Sequence, residues 1–196
     1  MHRLIFIIID GLDASGKSTQ AVMLHDFLEA SKKSVFLRMH PSNDNFFGAK
    51  ARQFLYRYGK GAHFASAVFY MLDVIRSILY YSWQKYDYII FIRYLMGTAY
   101  LPSPMHKIAY HFFALWVPKS NFMFFLDVSP QEAYKRILQS RKKREMFESL
   151  KELEKVRQKA LALAFIGNWK ILDADKPAER VHNEILETLK SEGALE

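Results

Sequence analysis

Residues 7–20 read IIIDGLDASGKSTQ, an apolar run that breaks into a glycine-framed turn and then a helical pattern. No other stretch limits the fold as much. Gly11, Leu12, Asp13, Ala14, Ser15, Gly16, Lys17 and Ser18 satisfy G-x-x-x-x-G-K-[ST] at every fixed position. A buried strand has to end where such a turn begins, and a helix has to start where it ends. The backbone N–H groups of the turn ring an anion, and the helix N-terminus adds partial positive charge. Lys17 is then set to reach the β- and γ-phosphates, and Ser18 to ligate Mg2+. Residues 11–19, through Thr19, are therefore expected to bind the triphosphate of ATP with magnesium. The loop does not name the acceptor of any transferred group.

The rest of the chain alternates in the same way. Strands are expected over 3–9, 34–39, 86–92, 121–128 and 169–174, all short apolar runs. Helical patterns are expected over 15–33, 46–60, 63–84, 129–144, about 145–165 and 177–190. Ser129, Pro130 and Glu132 form a capping box with proline in the first turn. Alternating strands and helices predict an α/β fold, and with the G-x-x-x-x-G-K-[ST] turn a three-layer P-loop NTPase architecture with a five-stranded parallel sheet flanked by helices. With 196 residues and no linker-like tract or repeat, a single domain over 1–196 is expected.

Composition narrows the function classes. A net charge of +8 favours anionic partners without choosing among them. No cysteine is present, which excludes disulfide and thiol chemistry. The seven histidines have no metal-ligand spacing, and no hydrolase signature occurs. The aromatic stretch 64–83 lacks interleaved basic residues, which argues against nucleic acid. No apolar run is read as approaching the roughly 18 residues of a membrane span, so a soluble, cytoplasmic protein is expected.

On these residues the chain resembles the thymidylate kinases, nucleoside monophosphate kinases that pass the γ-phosphate of ATP to dTMP. DGLDASGKSTQ is similar to the start of family members, PKSNFMFFLDVSPQEAYKRI (118–137) to their later strand and helix, and REMFESLKELEKVRQKALALA (144–164) to their lid and the helix after it. ILDA (171–174) is similar to their last strand, so the likeness runs along nearly the whole chain.

The resemblance implies roles. Asp13 would contact the 3′-hydroxyl of the acceptor. Arg93, followed by Tyr94 at the end of a strand, would bridge the two phosphates on either side of the transfer. Phe69 would stack on the acceptor base. Asp10 would join Ser18 around magnesium. The acceptor side would span about 38–76 and the lid about 139–150. With Ala14 in the loop, the lid run Arg141-Lys142-Lys143-Arg144 would supply the cations, which makes Lys17, Arg93, Arg141 and Arg144 the catalytic candidates. The family also implies a homodimer, for which helix 64–83 offers an apolar face.

Three positions depart from the family pattern, all on the acceptor side. Ile92 stands where an aspartate helps hold magnesium. Asp73 stands where an arginine reads the base, with Arg76 one turn later. Met39 stands where an arginine precedes the proline, and Arg38 lies on the opposite face of its strand. An aspartate in place of a base-reading arginine would favour a base that presents N–H groups. Two alternatives follow: a paralogous kinase for another nucleotide or small phosphorylated acceptor, and a nucleotide-binding regulatory protein with weakened transfer.

Overall fold

The computed structural model describes residues 4–55, 60–81, 84–140 and 149–195. Five strands form one sheet: β1 (Ile5–Gly11), β2 (Val35–Met39), β3 (Tyr88–Ile92), β4 (Phe122–Asp127) and β5 (Lys170–Asp173). Their order is β2-β3-β1-β4-β5, and every pairing is parallel. The helices are α1 (Lys17–Ala30), α2 (Phe46–Leu55), α3 (Lys60–Tyr81), α4 (Met105–Trp116), α5 (Pro130–Ser140), α6 (Leu150–Ile166) and α7 (Ala178–Ser191). A short 3-10 helix, Met96–Tyr100, follows β3.

β1 is the central strand, and Ile7, Ile8 and Ile9 are fully buried, as expected of a strand covered on both faces. Phe91, Phe124 and Phe125 continue that core into β3 and β4. Because all strands run the same way, the loops after β1, β2 and β3 gather at one edge of the sheet. That edge is where open α/β sheets bind ligands.

Two expectations change. The capping box at α5 is half made. Ser129 Oγ accepts the Glu132 N–H at 3.3 Å, but the Glu132 carboxylate turns to Arg136 Nε at 2.9 Å. The second concerns membrane spans. Among the described residues one helical window, Phe64–Tyr81, is long and apolar enough to cross a membrane by length and composition, with a mean hydropathy of 1.3. It carries Asp73 and Arg76, packs along α2, and buries Tyr70, Met71, Asp73, Val74 and Ser77 in the protein. A third of the window is buried in this way, while Phe64, Leu72, Leu79 and Tyr80 remain exposed.

Candidate active site

The turn after β1 reaches α1 through Gly16, whose φ of 89° lies in the left-handed region that glycine enters without a steric penalty. Lys17 is buried at the start of α1. Its ammonium donates to the carbonyl of Gly11 at 2.9 Å and to that of Leu12. Ser18 and Thr19 are exposed at the head of the same helix. A pocket opens here, walled by residues 14–20, Arg136 and the start of α7. Arg136 spans it, donating to the Ala174 carbonyl at 3.1 Å and the Ala14 carbonyl at 3.4 Å. Arg136 lies within the stretch 118–137 that carries the family resemblance, which implies no role for it. Its position one turn after Glu132, with which it pairs, was the available signal.

A second pocket lies on the other side of Asp13, among the loop after β2, α2, α3 and the 3-10 helix. Its polar end is a network. Asp13 Oδ1 accepts from Arg93 Nη2 at 2.6 Å, and Asp13 Oδ2 from the Tyr100 hydroxyl at 2.9 Å. Burial pushes the Asp13 carboxyl upward, but Arg93, Lys17 and the two hydrogen bonds outweigh it and hold it at about 2. Asp13 is therefore an anion at neutral pH. The same partnership raises the Arg93 pKa against the pull of burial. Arg93 borders both pockets.

Arg93 holds that position with φ at 61°, a left-handed conformation that a branched-out side chain adopts only under constraint. Its N–H donates to the Ile9 carbonyl at 3.1 Å. Its carbonyl accepts from His40 Nδ1 at 3.1 Å. The next N–H, of Tyr94, donates to Asp10 Oδ2 at 2.7 Å. Asp10 also accepts from Met96 N–H at 3.1 Å and Gly11 N–H at 2.9 Å. It ties the end of β1 to the turn after β3. Burial pushes the Asp10 carboxyl up, and the three N–H donors and Lys17 pull it back only in part.

A hard cation that keeps water and phosphate oxygens needs few protein ligands. The exposed Ser18 hydroxyl offers an oxygen in the P-loop pocket, whereas the buried Asp10 carboxylate borders the other pocket and its two oxygens already accept from three backbone N–H groups. Ile92 is buried in β3 and offers no ligand.

Several expected acceptor residues lie elsewhere. Phe69 does not line the pocket; its ring stacks on Phe54 at 5.7 Å and meets Phe46 edge-on at 6.1 Å. The neighbouring Tyr70 lines the pocket instead. Ser66, Tyr70, Asp73 and Ser77 form the buried stripe of α3, and Phe69 lies at its margin, partly buried against the core with its ring turned to α2.

Asp73 is also outside the pocket lining. It is 0% exposed and accepts from Ser42 N–H at 2.6 Å, Ser42 Oγ at 2.7 Å and Asn45 Nδ2 at 2.7 Å. A carboxylate so engaged holds the loop after β2, and the base preference expected of it loses its residue. Tyr94 is core: fully buried, with its hydroxyl on the Pro118 carbonyl at 2.8 Å. Arg76 lies over the Tyr80 ring at 5.6 Å. Met39 is exposed, while Arg38 points inward to a two-pronged pair with Asp44 at 2.6 and 2.8 Å, on the opposite face as expected. Arg141 and Arg144 lie outside the described residues.

Comparison with known proteins was informative at this point. A family model described as thymidylate kinase matches residues 9–185. The probable thymidylate kinase of Metallosphaera sedula is 30% identical over 94% of this chain and 91% of its own length. That of Thermococcus kodakarensis is 31% identical over 95% and 98%. Among solved structures, Candida albicans thymidylate kinase superposes with a TM-score of 0.70 at 21% identity, covering 97% of this chain and 93% of that one. The Ehrlichia chaffeensis enzyme superposes at 0.65 with 19% identity, covering 95% and 98%.

Proposed function

The chain belongs to the thymidylate kinase family, and on that premise we propose that it transfers the γ-phosphate of Mg·ATP to dTMP, giving dTDP. One observation carries the reading: Arg93 borders both the P-loop pocket and the pocket beyond Asp13. A guanidinium there neutralises charge on the donor and acceptor phosphates together, and its fork suits two oxygens at once.

In this reading Lys17 leaves its carbonyl partners for the triphosphate. Arg136 lines the far wall of the donor pocket. Asp13 orients Arg93 and offers its carboxylate to a sugar hydroxyl. Ser18 is the group that would hold magnesium, with Asp10 adding negative charge at the base of the loop, and the ion would supply neutralisation of phosphate charge. The acceptor phosphate is already ionised at neutral pH. Catalysis then rests on positioning and charge, and no side chain is assigned as general base.

We further place residues 1–196 in one domain closed by the segment 139–150, with Arg141 and Arg144 as its cations. The enzyme would act in the cytoplasm, where nucleotides are dissolved. It would pair with a second copy through exposed apolar helix faces. A second reading, a kinase for another nucleoside monophosphate, is favoured by the pocket lining, which among the described residues carries Asp10 and Asp13 beside Arg93 and is otherwise mainly apolar or hydroxylic.

The test is transfer from Mg·ATP to a panel of nucleoside monophosphates, with Lys17→Ala as control. Turnover on dTMP, reduced about 100-fold or more in the control, is the expected result. Turnover on another base alone would replace the acceptor. ATP binding with no transfer to any monophosphate would sink the enzymatic reading.

A further inference from the structure

Tyr70 is the residue at this site whose chemistry is still unspent. Its ring lines the acceptor pocket, and the residue is only 7% exposed. Its hydroxyl has no hydrogen-bond partner among the described residues. A buried hydroxyl left so is costly, and native structures rarely keep one without a use. Its electrostatic neighbours are Asp10, Arg93, Asp73 and Tyr100. Three of those belong to the polar end of the pocket, where Asp13 and Arg93 meet. Burial and the nearby carboxylates raise the hydroxyl's pKa well above the ordinary phenol range, so it stays protonated and can donate.

The position is built to fit a tyrosine. A Cβ on Gly97 would stand 2.6 Å from Tyr70 Cε1 and 3.0 Å from Cζ, so only glycine lets the ring lie where it does. The 3-10 helix that carries Gly97 also carries Tyr100, the hydrogen-bond partner of Asp13. One short segment therefore sets both the ring and the network beside it.

We propose that Tyr70 is a binding residue for the acceptor, its hydroxyl donating a hydrogen bond to the sugar–phosphate end of a nucleoside monophosphate. This rests on the reading of the second pocket as the acceptor site. Its neighbours Arg93 and Tyr100 belong to the polar end of the pocket, so a bond from this hydroxyl reports on the part of the ligand that all nucleotides share.

The experiment is to measure binding of dTMP and dCMP, and separately of ATP, to the full chain and to Tyr70→Phe, with the melting temperature of each ligand-free protein. Phenylalanine keeps the ring and removes only the hydroxyl. The expected result is that the variant binds whichever monophosphate the full chain binds about tenfold more weakly, whatever its base. Its affinity for ATP is unchanged, and its ligand-free melting temperature is equal or higher. Gly97→Ala, which displaces the ring, should weaken monophosphate binding in the same way. A lower melting temperature with unchanged monophosphate affinity would make the hydroxyl structural and overturn the proposal. So would a loss for one base and not the other when both bind the full chain. If the unaltered chain binds no monophosphate, the acceptor reading and this proposal fall together; if it binds and Tyr70→Phe binds equally well, only this proposal falls.

Discussion

His40 shows how one residue can govern the reaction centre without reaching it. It is fully buried at the end of β2, edge-on to Phe91 at 4.9 Å, and its Nδ1–H holds the carbonyl of Arg93. Burial lowers its pKa to about 4; Asp73 opposes that shift and Arg38 adds to it. The ring is therefore neutral near pH 7, and the hydrogen bond to a carbonyl fixes the proton on Nδ1. In the unfolded chain the same ring titrates near its ordinary value of 6.5. As pH falls below that value the unfolded state takes up a proton that the folded state refuses. Stability is thus complete above about pH 6.5 and is lost down to about 4, where the folded ring protonates too. Going from about pH 7.5 to 5.5, His40 alone should remove about 1 kcal/mol from the unfolding free energy. Urea titrations of the native chain and of His40→Asn, which keeps a donor without a titrating ring, test this. His106 and His182 are depressed by burial in the same direction and remain in the variant, so its slope should be smaller but not zero. An unchanged slope would rule out His40 as the source. The sequence showed the motif residues well, because Lys17 and Ser18 sit at fixed offsets in a turn whose chemistry is local. Tyr70, Tyr100 and Arg136 were hidden because their roles depend on what faces them across the sheet. For Tyr70 a single step of helical phase decided the matter, and an aromatic pair, Phe69-Tyr70, offers no local sign of which ring turns inward.

At the scale of elements, the carboxylate of Asp73 joins α3 to the stretch from β2 into the loop after it, two segments that the chain order separates. It takes two hydrogen bonds from Ser42 and one from Asn45, and Arg38 Nη2 on β2 lies 3.9 Å away. The loop after β2 is thus pinned to α3, and Pro41 in that loop walls the acceptor pocket. Arg52 on α2 adds a second tie, donating to the Pro41 carbonyl at 2.9 and 3.1 Å. Asp73→Ala would leave buried donors without their acceptor and strip a neighbour from the Arg38 guanidinium. It should cost about 3 kcal/mol in chemical denaturation and raise KM for the monophosphate, because the loop is released. A cost under about 1 kcal/mol would mean that Arg52 and Arg38 hold the loop unaided. All five strands were legible as short apolar runs: burial on both faces removes most polar residues from the inner strands β1, β3 and β4, while the edge strands β2 and β5 stay apolar enough to read despite Arg38, Lys170 and Asp173. Helix α4 was missed for the opposite reason. Its apolar stripe, Met105, Ile108, Phe112 and Leu115, faces outward while its buried residues are His106 and Tyr110, so the pattern runs against the usual rule, and Pro104 at its head makes no side-chain cap.

That same stripe matters for the whole molecule. Met105, Ile108, Phe112 and Leu115 recur at spacings of three and four, the pattern of a helix seam that packs on another helix. Phe112 is 54% exposed and Leu115 is 84% exposed in the single chain, with Trp116 beside them. A contiguous apolar stripe of this kind on a monomer is a surface that awaits cover. α3 adds Leu72, Leu79 and Tyr80, also exposed. Lys17, Asp13, Arg93 and the described residues that line both pockets come from one chain. Pairing should therefore alter stability rather than create activity. Sedimentation at micromolar concentration should give a dimer, and the double change Phe112→Glu with Leu115→Glu should give a monomer. Both side chains are exposed in the protomer, so the variant should keep its fold and its ATP affinity, while its melting temperature loses the concentration dependence expected of a coupled dimer. A native chain that sediments as a monomer, or a variant that remains dimeric, would remove α4 from any interface.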